Sequence, residues 1–424
     1  MWEILGWFFS LFGFSLKEGL ILCILPLIID VPRSVGKILF VPVIKYQENK
    51  RSKLEDKKSI ENRILPPISI IIPAHNEAGK IERSIKTLIE ARYPKEKKEI
   101  IVIDDGSTDN TYALALPYAR RGEIKLFRRH EKSGSKGKAI NYGLLFAKND
   151  IVIIVDADTQ YDVNSLYEIV KPFEDKDITA VAGNVQITNR SNLISICQAY
   201  EYQLAMELGK RIQSLFGSVL IASGAFGAFK RENIKSIGKY DDDTITEDFD
   251  TSLKLLKRSK IIYAPKALAW TICPDSWKVW WRQRVRWSRG ELECFIKHRD
   301  MIFQPRYGFI GMINIPDMFF IDILLLFIRL FYLGFIFIGT PLIYGFSSGV
   351  GYIWFCLKAM IMILALYTIL EIFCMFPALQ TKTLKRDLIY IPLAPFVAII
   401  YRPIYAVARI KSYFDYLLKR ESRW

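Results

Sequence analysis

Between residues 64 and 299 apolar and charged segments alternate, whereas beyond residue 309 long apolar stretches take over. In the first region, runs rich in β-branched residues at 68–72, 99–103 and 151–155 predict strands, as does the short segment 124–127, and 68–72 and 151–155 read as strands buried on both faces. Apolar residues recur at helical spacing between them: Ile81, Ile85, Leu88 and Ile89 share one face of 81–91, and 111–120 and 137–147 read as further helices. Strand, helix, strand, helix predicts an α/β fold, a doubly wound and mostly parallel sheet with helices on both faces. Ligands of such sheets sit outside the carboxyl ends of the strands. Three of these strands end there in polar or acidic tips, at 73–77, 104–107 and 156–158.

Stretches 321–344 and 352–376 are long and almost uncharged, each sufficient to cross roughly 30 Å of hydrocarbon. A third, 388–400, is shorter and carries Pro392 and Pro395, so it either crosses or re-enters. Residues 2–29 are apolar but interrupted by Lys17 and Glu18, and they lack a basic leader and a small-residue cleavage site, which predicts an uncleaved anchor. The organisation that follows is a membrane anchor of one or two passes at 1–44 and a basic linker at 45–65. The α/β domain occupies 66–272, an amphipathic interfacial segment 273–306, and a transmembrane region of two or more spans with a basic tail 307–424. Asp317, Asp322 and Arg329 lie in or beside the first long apolar stretch, where ionisable groups are expensive. Asp322 and Arg329 are seven apart on one helix face, and either neutralise one another or line a polar path.

Lysine and arginine total 59 against 44 acids, a net charge of +15. The excess clusters beside the apolar segments, at 45–63, 382–386 and 419–423, as cytoplasmic loops do against an anionic bilayer. This predicts a multi-pass cell-membrane protein with a cytoplasmic α/β domain. Only two spans between that domain and 382 would put a fully crossing last stretch's tail outside. Either that stretch is re-entrant or interfacial, or 307–346 holds an extra pass. Nucleic acid is a poor partner, because the acidic strand tips would repel phosphate along the cleft. The six cysteines form no C-x-x-C pair and read as buried free thiols, and the three histidines show no metal spacing.

The strand 151–155 leads to Asp156 and Asp158, separated by one small residue. Two carboxylates at such a tip suit a hard divalent cation that bridges phosphate oxygens; the competing reading is an acidic turn. Asp104 or Asp105 can accept hydrogen bonds from a uracil edge or a ribose, or can serve an Asx turn or helix cap. The loop from Lys132 to Lys138 offers backbone donors, a helix N-terminus and the ammonium groups of Lys136 and Lys138, all favourable to a diphosphate. The small residues around Ser223 and Gly224 let backbone lie close under a sugar ring or simply pack two core elements. Asp248 is the candidate general base, because an attacking hydroxyl must lose its proton as the bond forms, and Glu247 beside it is the second catalytic candidate. Asp241, Asp242 and Asp243 nearby read equally well as solvated surface. Gln283, Arg286 and Trp287 share a helix face at i, i+3, i+4 and can offer an amide, a phosphate fork and a stacking platform, although a Trp and Arg run before a membrane is also what an interfacial helix carries.

In combination, Asp104-Asp105-Gly106, Asp156-Ala157-Asp158, Thr246-Glu247-Asp248 and Gln283-Arg284-Val285-Arg286-Trp287, in that order, resemble the membrane-integrated family 2 glycosyltransferases. Within these the chain is most similar to the poly-N-acetylglucosamine, hyaluronan and cellulose synthase group, over roughly 68–297. The resemblance implies a GT-A-like fold and an inverting transfer from a UDP-sugar to a growing polysaccharide or lipid-linked acceptor, giving a β-linked polymer. It implies a base site near Pro73, His75, Glu77 and Asp105, with Asp104, Lys136, Lys138 and Asp156 around the nucleotide sugar. It also implies Mg2+ or Mn2+ held through Asp158 with Asp156, Asp248 as base, and diphosphate and acceptor against Gln283, Arg286, Trp287, Ser223 and Gly224. The alternatives are a non-processive enzyme moving one sugar to a membrane lipid such as a polyprenyl phosphate, and a nucleotide-regulated channel or scaffold with an inactive transferase fold.

Overall fold

The isoleucine and valine runs do become strands, because their branched side chains fill both faces of a sheet covered by helices. The computed structural model describes residues 2–55, 65–339, 342, 350–380 and 390–419. The basic cluster expected at 382–386, most of the tail cluster and much of the linker at 45–65 lie outside the described residues. The chain divides into two compact units, Met1–Lys45 with Pro316–Val407, and Tyr46–Ile315 with Ala408–Trp424.

The chain opens with helices α1 (Trp2–Ser10), α2 (Leu16–Leu22), α3 (Val31–Leu39) and α4 (Val41–Glu55). The Lys17-Glu18 interruption is the first turn of α2, where Ser15 and Glu18 form a reciprocal capping box. In the first unit Phe9, Phe14, Leu22 and Cys23 pack in one apolar cluster with Ile336, Ala359 and Met362. Among the described residues three helices, Ile310–Gly339, Gly351–Leu379 and Tyr390–Leu417, are long and apolar enough to cross a bilayer. The stretch with Pro392 and Pro395 is thus the start of a 28-residue helix. Leu16–Leu22 and Pro26–Lys50, bent by 76°, pass the same test together. Arg329 donates to Asp30 at 2.5 Å, and Arg33 holds Asp317 through two hydrogen bonds of 2.7 and 3.0 Å. Both pairings reach across from the N-terminal helices, which spacing within one helix could not reveal.

The second unit is built on β1 (Ile68–Ala74), α5 (Ile81–Glu90), β2 (Lys98–Asp105), α6 (Thr111–Arg120), β3 (Lys125–Arg129), α7 (Lys136–Leu144) and β4 (Ile151–Val155). There follow β5 (Gln160–Tyr161), α8 (Ser165–Val170), β6 (Ile178–Ile187), α9 (Leu193–Leu204), α10 (Arg211–Leu215), β7 (Phe226–Lys230), α11 (Arg231–Ser236), α12 (Glu247–Leu256), β8 (Lys260–Thr271) and α13 (Trp277–Lys297). One eight-stranded sheet results, in the order β3-β2-β1-β4-β7-β6-β8-β5. The half from β3 to β4 is parallel, with Ile68 opposite both Lys98 and Ile151. β7 runs antiparallel to β4 and β6, whereas β8 is parallel to β6. The sheet is therefore mixed, and every strand of the β3-β2-β1-β4 half delivers its carboxyl end to one edge. Because Phe226 opposes Val155, the segment just before β7 arrives at that same edge.

Candidate active site

β4 is fully buried along its length, so its polypeptide first meets open space at Asp156. The carboxylate of Asp156 is ion-paired with the ammonium of Lys136, the first residue of α7, whose N-terminus is capped by Ser135. Lys136 Nζ also donates to Gly224 O at 3.3 Å, and Gly224 N donates to Asp248 Oδ2 at 3.1 Å. A chain of contacts therefore joins Asp156, Lys136, Gly224 and Asp248. A Cβ added at Gly224 would lie 2.9 Å from Lys136 Nζ and 3.5 Å from Asp248 Oδ2, so a side chain there would push the Lys136 ammonium aside while only touching Asp248. The second oxygen of Asp248 accepts Phe249 N at 2.8 Å, which fixes the carboxylate at the start of α12.

Charge at this edge is unbalanced. Burial opposes the Lys136 ammonium, yet Asp156, Glu247 and Asp248 around it outweigh that and hold it charged. Burial raises the pKa of Asp156 against the pull of Lys136, with Asp158 and Asp248 adding to the rise. Glu247 is pushed up to about 7, mainly by burial, with Asp248 and Asp156 reinforcing it against Lys136. Several carboxyl groups thus share one ammonium, an arrangement that favours an additional cation. Asp158 is half-buried: it accepts from Thr159 at 3.2 Å and Thr271 at 3.4 Å, and Lys80 Nζ lies 3.8 Å away. The same Lys80 is 3.2 Å from Glu77, whose pKa is raised by burial and by Asp158 and Asp156 despite that lysine.

The tips of β1 and β2 are stitched to each other. His75 Nδ1 donates to Asp105 O at 2.9 Å, Asn76 N to Ser107 Oγ at 3.0 Å and Glu77 N to Thr111 Oγ1 at 2.7 Å. Pro73, the penultimate residue of β1, opposes Ile103. Asp104 is fully buried, accepts Ser107 N at 3.2 Å and has Arg128 Nε 3.1 Å away. Asp105 accepts Ser133 N at 3.1 Å and Ser133 Oγ at 2.6 Å, with Arg129 Nε at 3.3 Å. Both carboxylates are therefore engaged by protein donors. Lys138, two residues after Lys136, reaches Asp242 at 2.6 Å instead of the Asp156 group. Asp241, Asp243 and Asp250 bring oxygens within 4.8 Å of one another, but Lys297 Nζ lies 2.7 Å from the first two and 3.0 Å from Asp250. An ammonium already fills that cluster.

α13 carries Gln283, Arg286 and Trp287, all part-buried, and presses on the turn before α12. A Cβ on Gly290 would meet Thr246 at 2.5 Å, and Glu293 Oε2 accepts Ile245 N at 3.2 Å. The helix read as interfacial also contributes to the core, since Trp280 and Arg284 are fully buried. A cavity of about 480 Å3 lies at the opposite edge of the sheet, against Pro66, Ile151, Tyr167 and Lys230, away from every residue of this group.

Residues 69–238 match the model of glycosyl transferase family 2. The chain carries a family 2 glycosyl transferase domain. That match runs from β1 through α11 and so includes Asp104, Asp105, Lys136, Asp156, Asp158 and Gly224, while Asp248 and α13 lie beyond it. Over 274 residues the chain is 34% identical to poly-β-1,6-N-acetyl-D-glucosamine synthases of Staphylococcus aureus and Staphylococcus epidermidis, covering 64% of this chain and 65% of theirs. The fold resembles that of a mannosyltransferase from Pyrobaculum calidifontis in complex with GDP-Man and Mn2+, at a TM-score of 0.52 and 20% identity over 92% of this chain and 99% of that one.

Four residues, three of them inside that match, escape a reading of motifs. Lys80 comes from the turn before α5. Glu201 and Lys210 come from α9 and the wide π-helical turn Ala205–Lys210 that follows it. Arg284 sits between motif positions on α13. Burial pushes Lys210 down to about 8, with Asp248 partly offsetting it. A long helix with no acidic tip gives no sign of this in the sequence, although π-turns recur at functional sites.

Proposed function

We propose that the chain is an inverting glycosyltransferase that moves a sugar from a UDP-sugar to a growing β-linked polysaccharide at the cytoplasmic membrane face. The observation that carries this reading is the meeting of Asp156, Lys136, Gly224 and Asp248 at one sheet edge. It supplies a cation-binding tip, a fixed ammonium and an oriented carboxylate within one continuous set of contacts. The relatives' name makes N-acetylglucosamine the first sugar to test.

In this reading Asp248 accepts the proton of the attacking hydroxyl, with Gly224 N and Phe249 N holding its carboxylate in place. A single displacement inverts the anomeric carbon, turning an α-linked donor into a β-linked product. Lys136 balances diphosphate charge as the bond to the sugar breaks. Asp158 and Asp156 offer the hard oxygen donors that Mg2+ or Mn2+ prefers, and the surplus of carboxyl groups around Lys136 fits such an ion. When bound, that ion would neutralise charge on the departing diphosphate. Pro73, His75 and Glu77 border the base, and Asp104 and Asp105 shape this border by holding the loops at 104–107 and 131–135. Gln283, Arg286 and Trp287 face diphosphate and acceptor.

Asp248→Asn tests the assignment of the base. Transfer from UDP-N-acetylglucosamine falls about 10²- to 10⁴-fold while donor affinity, read by calorimetry, stays within about threefold. Intact transfer in this variant removes Asp248 from the chemistry and leaves the reading without its base.

A further inference from the structure

Arg284 occupies the interval of the Gln283 to Trp287 motif that the proposed chemistry does not use. It is fully buried, on the same face of α13 as Trp280 and Trp287 at i−4 and i+3. Its guanidinium carbon lies 4.4 Å from the centroid of the Trp287 ring and 5.8 Å from that of Trp280. Its Nη2 donates to Glu201 Oε2 of α9 at 2.7 Å. A buried guanidinium is costly to desolvate, and an aliphatic side chain would fill the same space without that cost. What the guanidinium adds is a planar, delocalised cation: it lies over the indole while donating to a carboxylate, where a lysine ammonium would offer the ring a point charge without the plane.

We propose that Glu201 and Arg284 are positioning residues that fix the indole of Trp287, so that the stacking surface offered to the acceptor sugar is set by α9 as well as by α13. This rests on the reading of Trp287 as the acceptor platform. The location of α9 suits the task. Tyr202, next to Glu201, lies in the electrostatic reach of Arg284 and Asp156, and the following π-turn brings Lys210 into that of Asp248. One helix thereby braces the acceptor platform and borders the acidic edge, and a bound acceptor would be held in register with Asp248. Rigid support of this kind governs transfer through orientation.

The test uses the full chain in lipid, UDP-N-acetylglucosamine with Mn2+, and a short β-1,6-linked N-acetylglucosamine oligomer as acceptor. Arg284→Lys raises the acceptor KM about fivefold or more, while acceptor-free donor hydrolysis stays within about twofold. Glu201→Gln moves the acceptor KM in the same direction by a smaller factor and serves where Arg284→Lys lowers the melting temperature. In a Trp287→Ala background neither substitution adds a further effect. Equal loss of transfer and hydrolysis in both variants, or an undiminished effect in the Trp287→Ala background, overturns the positioning role. If Trp287→Ala alone leaves the acceptor KM unchanged, the platform reading fails. If that variant raises KM while Arg284→Lys and Glu201→Gln do not, only the positioning role fails.

Discussion

Asp156 and Asp248 are far apart in sequence, and they meet because β7 runs antiparallel to β4 and returns Gly224 to the strand tip. The carboxyl groups there are held at different affinities for protons. Glu247, pushed up to about 7 chiefly by burial, keeps its proton in the folded state over a range where the unfolded chain has lost it. Its contribution to stability is complete below about pH 4.5 and disappears as pH rises through about 7. Glu247→Gln removes that dependence. In thermal melts from pH 5 to 8, the variant gains stability relative to the parent as pH rises; a constant difference across the range would show that Glu247 is not raised. Acids at strand tips are legible in a sequence because a buried strand ends abruptly at a polar residue. The choice between Lys136 and Lys138 is not legible, since a two-residue step around the capped start of α7 sends one ammonium to Asp156 and the other to Asp242. Arg284 and Lys210 are harder still, because a buried cation on a long helix has the same spelling as an exposed one.

The early strands and helices lie close to where periodicity places them: 81–91 is Ile81–Glu90, 111–120 is Thr111–Arg120 and 151–155 is β4. The later sheet does not announce itself, because β8 carries Pro265 and Lys266 and pairs with β6 through register shifts that break simple alternation. α13 shows how one helix acquires two tasks. Its Trp and Arg content suggests a bilayer surface, and Trp277 and Val279 are indeed exposed, yet its inner face fills space around Trp280, Arg284 and Gly290. Gly290 is where α13 bears on Thr246, two residues before Asp248. A methyl there meets a branched side chain, which yields little, so Gly290→Ala costs about 1–3 kcal/mol in unfolding free energy. It also lowers kcat through displacement of Asp248, whereas Gly36→Ala, whose added Cβ meets nothing within 4 Å, does neither. Equal melting and activity in the two variants would show that α13 does not set the turn.

Among the described residues three helices are long and apolar enough to span a membrane, and pairs such as Arg329 with Asp30 and Arg33 with Asp317 explain how ionisable groups are tolerated in that unit. Apolar length is plain in the sequence, because crossing hydrocarbon demands about twenty apolar residues in a row. Partner choice across separate helices is not, because it depends on how they pack. The central proposal is that this chain, with its glycosyl transferase family 2 match at 69–238 and its long apolar helices, builds a β-linked polymer from a UDP-sugar. Its most direct test is to incubate the purified full chain in lipid with Mn2+ and a panel of radiolabelled UDP-sugars, then size the product. The account predicts a ladder of long chains from one donor, with UDP-N-acetylglucosamine the first expected. Addition of one sugar to a lipid would contradict polymer synthesis, and no incorporation from any UDP-sugar would contradict the enzyme itself.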